Sequence, residues 1–226
     1  MDGNSFFSFM KSWAYISSKL KGDSSSSILV PLPEYFTQIY DRILIRDPIG
    51  IEEMYLNEWL KQDGFGESNN NRNLMLEYLK VPADATRGSF ELTPLDVEKL
   101  RQLVLTKLKD KKVNNSLSRF VLTGAYVWVS LAKVQEEEVI KHPRVVFWFN
   151  VDCRSHWKSP IPPRYFGNCI GFNRIAVDTK GLLGEGGLII AVEALSEWVR
   201  SLGYESLSSK AKSWSFSSFD LQADNG

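Results

Sequence analysis

Apolar residues return at helical spacing soon after the chain opens. Phe6, Met10, Trp13 and Leu20 share one stripe, which predicts a helix from about Ser5 to Leu20. Asp2 or Asn4 could cap it. An amphipathic helix must bury its stripe on something, and no strand precedes this one. The pattern therefore raises the expectation that the upstream part of a domain is missing. A Ser-rich, Pro-punctuated loop follows over 22–33. Ile39 to Asp47 alternates well enough for a strand or an extended segment, ended by Asp47-Pro48. Ile51 to Lys61 fits a short helix, and residues 64–73 (GFGESNNNRN) read as a surface linker with nothing to bury.

Beyond that linker the pattern is more regular. Arg87 to Leu92 reads as a strand. Thr93-Pro94 then supplies an N-cap and a proline at the first helical position, with Val97, Leu100, Val104 and Leu108 on the apolar face. Ser118 could cap the next helix, whose wide stripe of Val121, Leu122, Ala125, Tyr126, Val129 and Ala132 runs to about Val134. Arg144 to Asp152 (RVVFWFNVD) is nearly continuously hydrophobic, the pattern of a strand buried on both faces. Phe172 to Asp178 is a further strand. A glycine-rich turn, Gly181 to Gly187, leads into a helix over about Leu188 to Leu202, with Leu188, Val192, Leu195 and Val199 on one face. The class is α/β or α+β: a mixed sheet with flanking helices.

Composition narrows the function classes. The 226 residues carry 27 Lys+Arg against 27 Asp+Glu, so the basic face expected of a nucleic-acid protein is lacking. The densest basic run, Lys107 to Lys112, is short, interrupted by an acid, and reads as a solvated helix end. Cys153 and Cys169 make neither a disulfide framework nor a zinc motif, and no metal is expected. No stretch approaches the roughly 18 apolar residues of a membrane span, and the N-terminus does not read as a signal peptide. Reduced cysteines with no targeting segment point to the cytoplasm, where the sequon Asn114-Asn115-Ser116 would go unused.

No self-sufficient catalytic constellation stands in the chain. No serine lies in a Gly-x-Ser-x-Gly elbow. His142 reads as a loop residue before Pro143, and His156 as a polar-turn residue that could act as a base but fits the surface better. The turn Gly184-Glu185-Gly186-Gly187 could cradle a phosphate on free backbone N–H groups. It lacks the P-loop lysine and the dinucleotide spacing, so a plain turn leading into a helix is the stronger reading.

One combination is more specific. Asn150-Val151-Asp152-Cys153-Arg154-Ser155 is followed, through Pro160-Ile161-Pro162-Pro163, by Tyr165-Phe166-Gly167-Asn168-Cys169. This resembles the anthocyanin and flavonoid acyltransferase branch of the BAHD acyltransferase family. Asp41 to Gly50 (DRILIRDPIG), Leu56 to Trp59 (LNEW), Ser118 to Trp128 (SRFVLTGAYVW) and Gly184 to Ser196 (GEGGLIIAVEALS) extend the resemblance, in order, along almost the whole chain. Met1-Asp2-Gly3 looks like the end of the family's His-x-x-x-Asp motif, with Asp2 as its aspartate and the histidine upstream of Met1. Asp224 and Gly226 look like the start of its Asp-Phe-Gly-Trp-Gly motif, although Asn225 stands for the phenylalanine and the Trp-Gly is absent.

The resemblance implies a chloramphenicol-acetyltransferase-like fold with an incomplete N-terminal domain. Residues 1–63 would be a remnant of that domain, 64–86 a crossover linker, and 87–226 a truncated C-terminal domain. It implies an O-acyltransferase that takes an acyl-CoA, malonyl-CoA favoured, as co-substrate and a phenolic or flavonoid glucoside as acceptor. No bound cofactor, nucleic-acid partner or membrane is implied, and family members are usually monomers. The base would be the histidine outside the chain. Asp2 would be structural and paired with Arg154, bidentate and partly buried. Tyr165, Phe166, Gly167, Asn168 and Cys169 would lie at the acyl-CoA channel, with Asn168 holding a turn or touching ligand. Asp224 and Gly226 would shape a loop at the domain interface. The chain alone is expected to be inactive. The alternatives are a non-catalytic remnant that binds CoA or a related acyltransferase, and an unrelated small-molecule-binding α/β domain.

Overall fold

A computed structural model of the chain describes residues 2–20, 31–47, 50–61, 84–108, 117–157 and 159–203. The linker predicted over 64–73, residues 109–112 of the basic run, the sequon, Asp224 and Gly226 lie outside the described residues.

Local chemistry accounts for most of the helices. Helix α1 (Gly3–Leu20) starts where Asp2 Oδ1 accepts from Ser5 N–H at 2.9 Å, so Asp2 is its N-cap. Helix α2 spans Ile51–Lys61. Helix α3 (Pro94–Lys107) opens on a capping box in which Thr93 and Asp96 each bond the other's backbone N–H. Helix α4 (Arg119–Val134) is capped by the Ser118 hydroxyl, and the short α5 (Glu136–Val139) follows it. Strands β1 (Arg144–Asp152) and β2 (Ile170–Asp178) pair as an antiparallel ribbon. Helix α6 (Thr179–Leu183), capped by Asp178, and α7 (Gly187–Arg200) complete the order. No described helix is long and apolar enough to cross a membrane.

The chain divides into two compact units, and each strand of the ribbon contributes to both. The unit made of Tyr55–Phe147 and Ile175–Ser201 is built around α4, which packs on α3, α6 and α7. Leu122, Leu182, Val192 and Leu195 are almost fully buried in it, and the Trp128 ring stacks on Phe147 at 5.2 Å. The glycine-rich turn closes on itself, with Gly187 N–H donating to Gly184 O, and Gly187 lies so close to the Leu182 carbonyl that a Cβ would collide with it.

The other unit holds Met1–Met54, Trp148–Arg174 and the described residues of Leu202–Gly226. Here the sequence misleads about α1. Its apolar stripe is open, with Phe6 46%, Met10 40%, Trp13 56% and Leu20 54% exposed, whereas Ser5 and Ser12 are buried. Hydroxyls do the docking: Ser12 Oγ donates to Phe36 O at 2.7 Å, and Gln38 Nε2 donates to Ser8 and Ser12.

Other local readings also need correction. Ile39 to Asp47 forms a single parallel bridge, Ile39 to Tyr165, and a 3-10 turn over Arg42–Leu44 in place of a continuous strand. Arg87 to Leu92 pairs with no strand among the described residues, and Phe90 is 98% exposed. Strand β1 is mostly half-buried, with Phe149 its one buried residue, so it is not covered on both faces as its composition suggests. The antiparallel ribbon and the parallel bridge, in a chain that also carries seven helices among its described residues, place it in the α/β (α+β) class.

Leu195→Ala is expected to lower unfolding stability by about 2–5 kcal/mol in urea titrations followed by helical circular dichroism. Val134→Ala, at a position 83% exposed, is expected to change it by less than about 0.5 kcal/mol.

Candidate functional site

Two residues far apart in sequence set the centre of the site. Arg154 sits in a 3-10 turn directly after β1, and Asp2 caps α1. Arg154 Nη2 meets Asp2 Oδ2 at 2.8 Å, with both side chains about 95% buried or more (5% and 3% exposed). The pair is not bidentate. The second guanidinium nitrogen, Nη1, goes to Asp152 Oδ1 at 3.1 Å, so Arg154 bridges two carboxylates, one buried and one half exposed.

Asp2 uses its remaining capacity on backbone. Oδ1 takes the Ser5 N–H, and Oδ2 also takes the Cys169 N–H at 2.9 Å. Burial alone would push this carboxyl up. The N–H groups of Ser5 and Cys169 and the Arg154 guanidinium outweigh burial and hold it below its ordinary value. A carboxylate so engaged, with three of its roughly four acceptor sites filled and its side chain 3% exposed, anchors structure. Burial likewise works against the Arg154 charge, and Asp2 and Asp152 more than compensate.

The segment 165–169 is fastened at every residue but one. Tyr165 is fully buried, in a cluster with Ile161 and Cys169 on which Leu44 and Trp157 pack. Its hydroxyl accepts from Arg42 Nη1 at 2.7 Å, and the same guanidinium lies over its ring at 5.5 Å. Phe166 N–H donates to Ile39 O, and its ring sits against Phe9 and Tyr40. Gly167 N–H donates to Ser5 Oγ at 3.1 Å. A Cβ at Gly167 would strike the Tyr165 ring and come within 2.8 Å of Arg42 Nη1, so this packing requires glycine. Cys169 N–H goes to Asp2, while Cys169 O accepts from Cys153 N–H at 2.8 Å. Asn168 alone is exposed.

Asp2, Arg154 and Tyr165 to Cys169, picked out from sequence, are thus one contact network. Ser5, Arg42 and Asp152 belong to it and were not picked out. Each was masked by a local reading: Ser5 as a helix start, Arg42 inside a supposed strand, Asp152 as a strand end. His156 follows Arg154 in its turn, its N–H donating to Cys153 O. His142 belongs to the other unit, where its carbonyl accepts from Thr179 Oγ1 at 2.6 Å.

The network is poor in reactive groups. Burial pushes the Cys153 thiol up to about 11 and raises Cys169 as well, so neither is a thiolate near neutrality. Among the described residues no cluster of His, Cys, Asp or Glu could hold a metal ion. What these residues can do is hold backbone and side chains in place.

Because folding lowers the Asp2 carboxyl, its stabilisation is fully present above the ordinary carboxyl value of 3.8 and is lost as pH falls through the lower folded value. Asp2→Asn is expected to cost about 3 kcal/mol near neutrality, the low end for opening a buried pair because Asp152 still faces Arg154. In urea unfolding at a series of pH values, that difference should shrink below pH 3.8.

The sequence model of the Transferase family matches residues 1–225. The chain is 35% identical, over 212 residues, to the malonyl-CoA:anthocyanidin 5-O-glucoside-6''-O-malonyltransferase of Arabidopsis thaliana, an alignment covering 92% of this chain and 43% of that protein. Phenolic glucoside malonyltransferase 1 of Nicotiana tabacum is 31% identical over 88% of this chain and 41% of its own length. A coumaroyl-CoA:anthocyanidin 3-O-glucoside-6''-O-coumaroyltransferase of Arabidopsis thaliana is 28% identical over 94% of this chain and 43% of its own length. The chain therefore spans less than half the length of these curated relatives. Matched along nearly all of its own length, it belongs to the Transferase family, the BAHD acyltransferases.

Proposed function

We propose that this chain forms part of an acyl-CoA:glycoside O-acyltransferase, with malonyl-CoA as donor and a phenolic or flavonoid glucoside as acceptor. The observation that carries the reading is the buried network joining Asp2 and Arg154 to the Tyr165–Cys169 segment. Relatives that transfer malonyl groups to anthocyanidin and phenolic glucosides support the choice of donor and acceptor class.

The chemistry asks for a base that takes the acceptor hydroxyl proton as the oxygen attacks the thioester carbonyl. A neutral imidazole suits that task, and we assign it to the histidine of the family's His-x-x-x-Asp motif, with Asp2 as the aspartate. Asp2, bonded to Ser5, Cys169 and Arg154, orients the loop that carries the base. Tyr165 to Cys169 form one wall of the acyl-CoA channel, with Asn168 the residue open to ligand. The described groups of the network include no free base near neutrality, so the chain by itself is proposed not to turn over. General-base catalysis is typically worth about 10²–10⁴-fold.

A second reading, association with a related acyltransferase, is favoured by the open apolar stripe of α1, where Phe6 is 46% and Trp13 56% exposed.

Titration calorimetry is expected to show that malonyl-CoA binds the chain, while mass spectrometry detects no malonylated glucoside above the protein-free rate. Absence of binding by any acyl-CoA would contradict the assignment of the channel. Turnover abolished by His156→Ala would contradict the assignment of the base.

A further inference from the structure

We propose that Ser5 is a positioning residue, whose hydroxyl locks Gly167 to the first turn of α1 so that Asn168 is presented to the ligand between two clamped amides. Its consequence for ligand binding rests on the acyl-transfer reading above.

A serine hydroxyl has one proton to give and two lone pairs with which to accept, and Ser5 uses all three. Its Oγ donates to Gly167 O at 2.8 Å, accepts from Gly167 N–H at 3.1 Å and accepts from Arg154 Nη2 at 3.2 Å. Giving to and taking from the same residue copies the paired bonds of an antiparallel rung, with a side chain in place of a second strand. Ser5 is 2% exposed, so water cannot replace it cheaply. Its own position is fixed by its N–H to Asp2 Oδ1.

The consequence falls on Asn168. The amide before it, Gly167 N–H, is held by Ser5, and the amide after it, Cys169 N–H, is held by Asp2. Both holders sit at the start of α1 and both also bond Arg154 Nη2. The exposed Asn168 therefore inherits its orientation from two residues more than 160 positions away in the chain. Ser8 and Ser12, on the same face of α1, serve a different segment, since Ser12 donates to Phe36 O and both accept from Gln38. They provide the internal control.

The test is amide hydrogen exchange resolved by residue, on the whole chain, with and without Ser5→Ala. In the unsubstituted chain Gly167 and Cys169 amides should be protected and Asn168 should not. In Ser5→Ala both protected amides should exchange roughly tenfold faster or more, Cys169 included although its acceptor is Asp2, while α4 amides stay unchanged. Ser12→Ala should leave all three amides of the segment as they were. Acceleration at Gly167 alone, or at neither amide, overturns the proposal. If Ser5→Ala does not fold, the unsubstituted chain still decides: similar protection at Gly167 and Cys169 supports a shared clamp, and an unprotected Gly167 amide overturns it. Coenzyme A added to the same samples should bind Ser5→Ala roughly tenfold more weakly, the factor expected for about one lost hydrogen bond. Equal affinity overturns the positioning role. Binding to neither chain overturns the acyl-transfer reading, and amide exchange then decides the clamp on its own.

Discussion

A carboxylate and a guanidinium taken out of water impose the strictest condition on this protein. Moving either charge into a low-dielectric interior costs several kcal/mol, which their mutual attraction recovers only with good geometry and further hydrogen bonds. Asp2 meets that condition with Arg154 and the N–H groups of Ser5 and Cys169. Arg154 meets it less fully. Its two terminal nitrogens are engaged by Asp2, Asp152 and Ser5, while Nε has no partner among the described residues. Such a pair adds little net stability and much definition, since each alternative arrangement strands a buried charge.

That condition organises the surrounding backbone. One residue beyond the ends of β1 and β2, Cys153 N–H still donates to Cys169 O, but Cys169 N–H turns to Asp2. The carboxylate thus ends the β1–β2 ladder and starts α1 at once. Arg42 holds the same segment through the Tyr165 hydroxyl and ring, in a space that only glycine at 167 leaves open. Scaffold and candidate site are the same set of contacts, which explains why the residues concerned are fixed. Groups held in this way keep backbone and side chains in place.

Features carried by neighbouring residues were legible in the sequence. The Thr93–Asp96 capping box and the Ser118 cap depend on groups three residues apart, and the strand span of β1 follows from its β-branched and aromatic run. The stripe of α1 was misread because periodicity shows which face is apolar, not which face is buried. Here hydroxyls of Ser5 and Ser12 found carbonyl partners and the serine face docked. Strand readings at 39–47 and 87–92 failed because alternation supplies no partner strand. The pairing of Asp2 with Arg154 came from family resemblance, and its geometry differs from expectation because Asp152 takes one arm of the guanidinium. Ser5 and Arg42 act across 162 and 123 positions, a range at which single-sequence patterns carry no signal.

The central claim is that Asp2 and Arg154 act as one coupled unit. A double-mutant cycle of Asp2→Asn, Arg154→Met and the double variant, read as unfolding free energies near neutral pH, addresses it directly. The account requires a coupling of at least about 1 kcal/mol, within the range found for residues in contact. Additivity to within about 0.3–0.5 kcal/mol, as for independent sites, would contradict it.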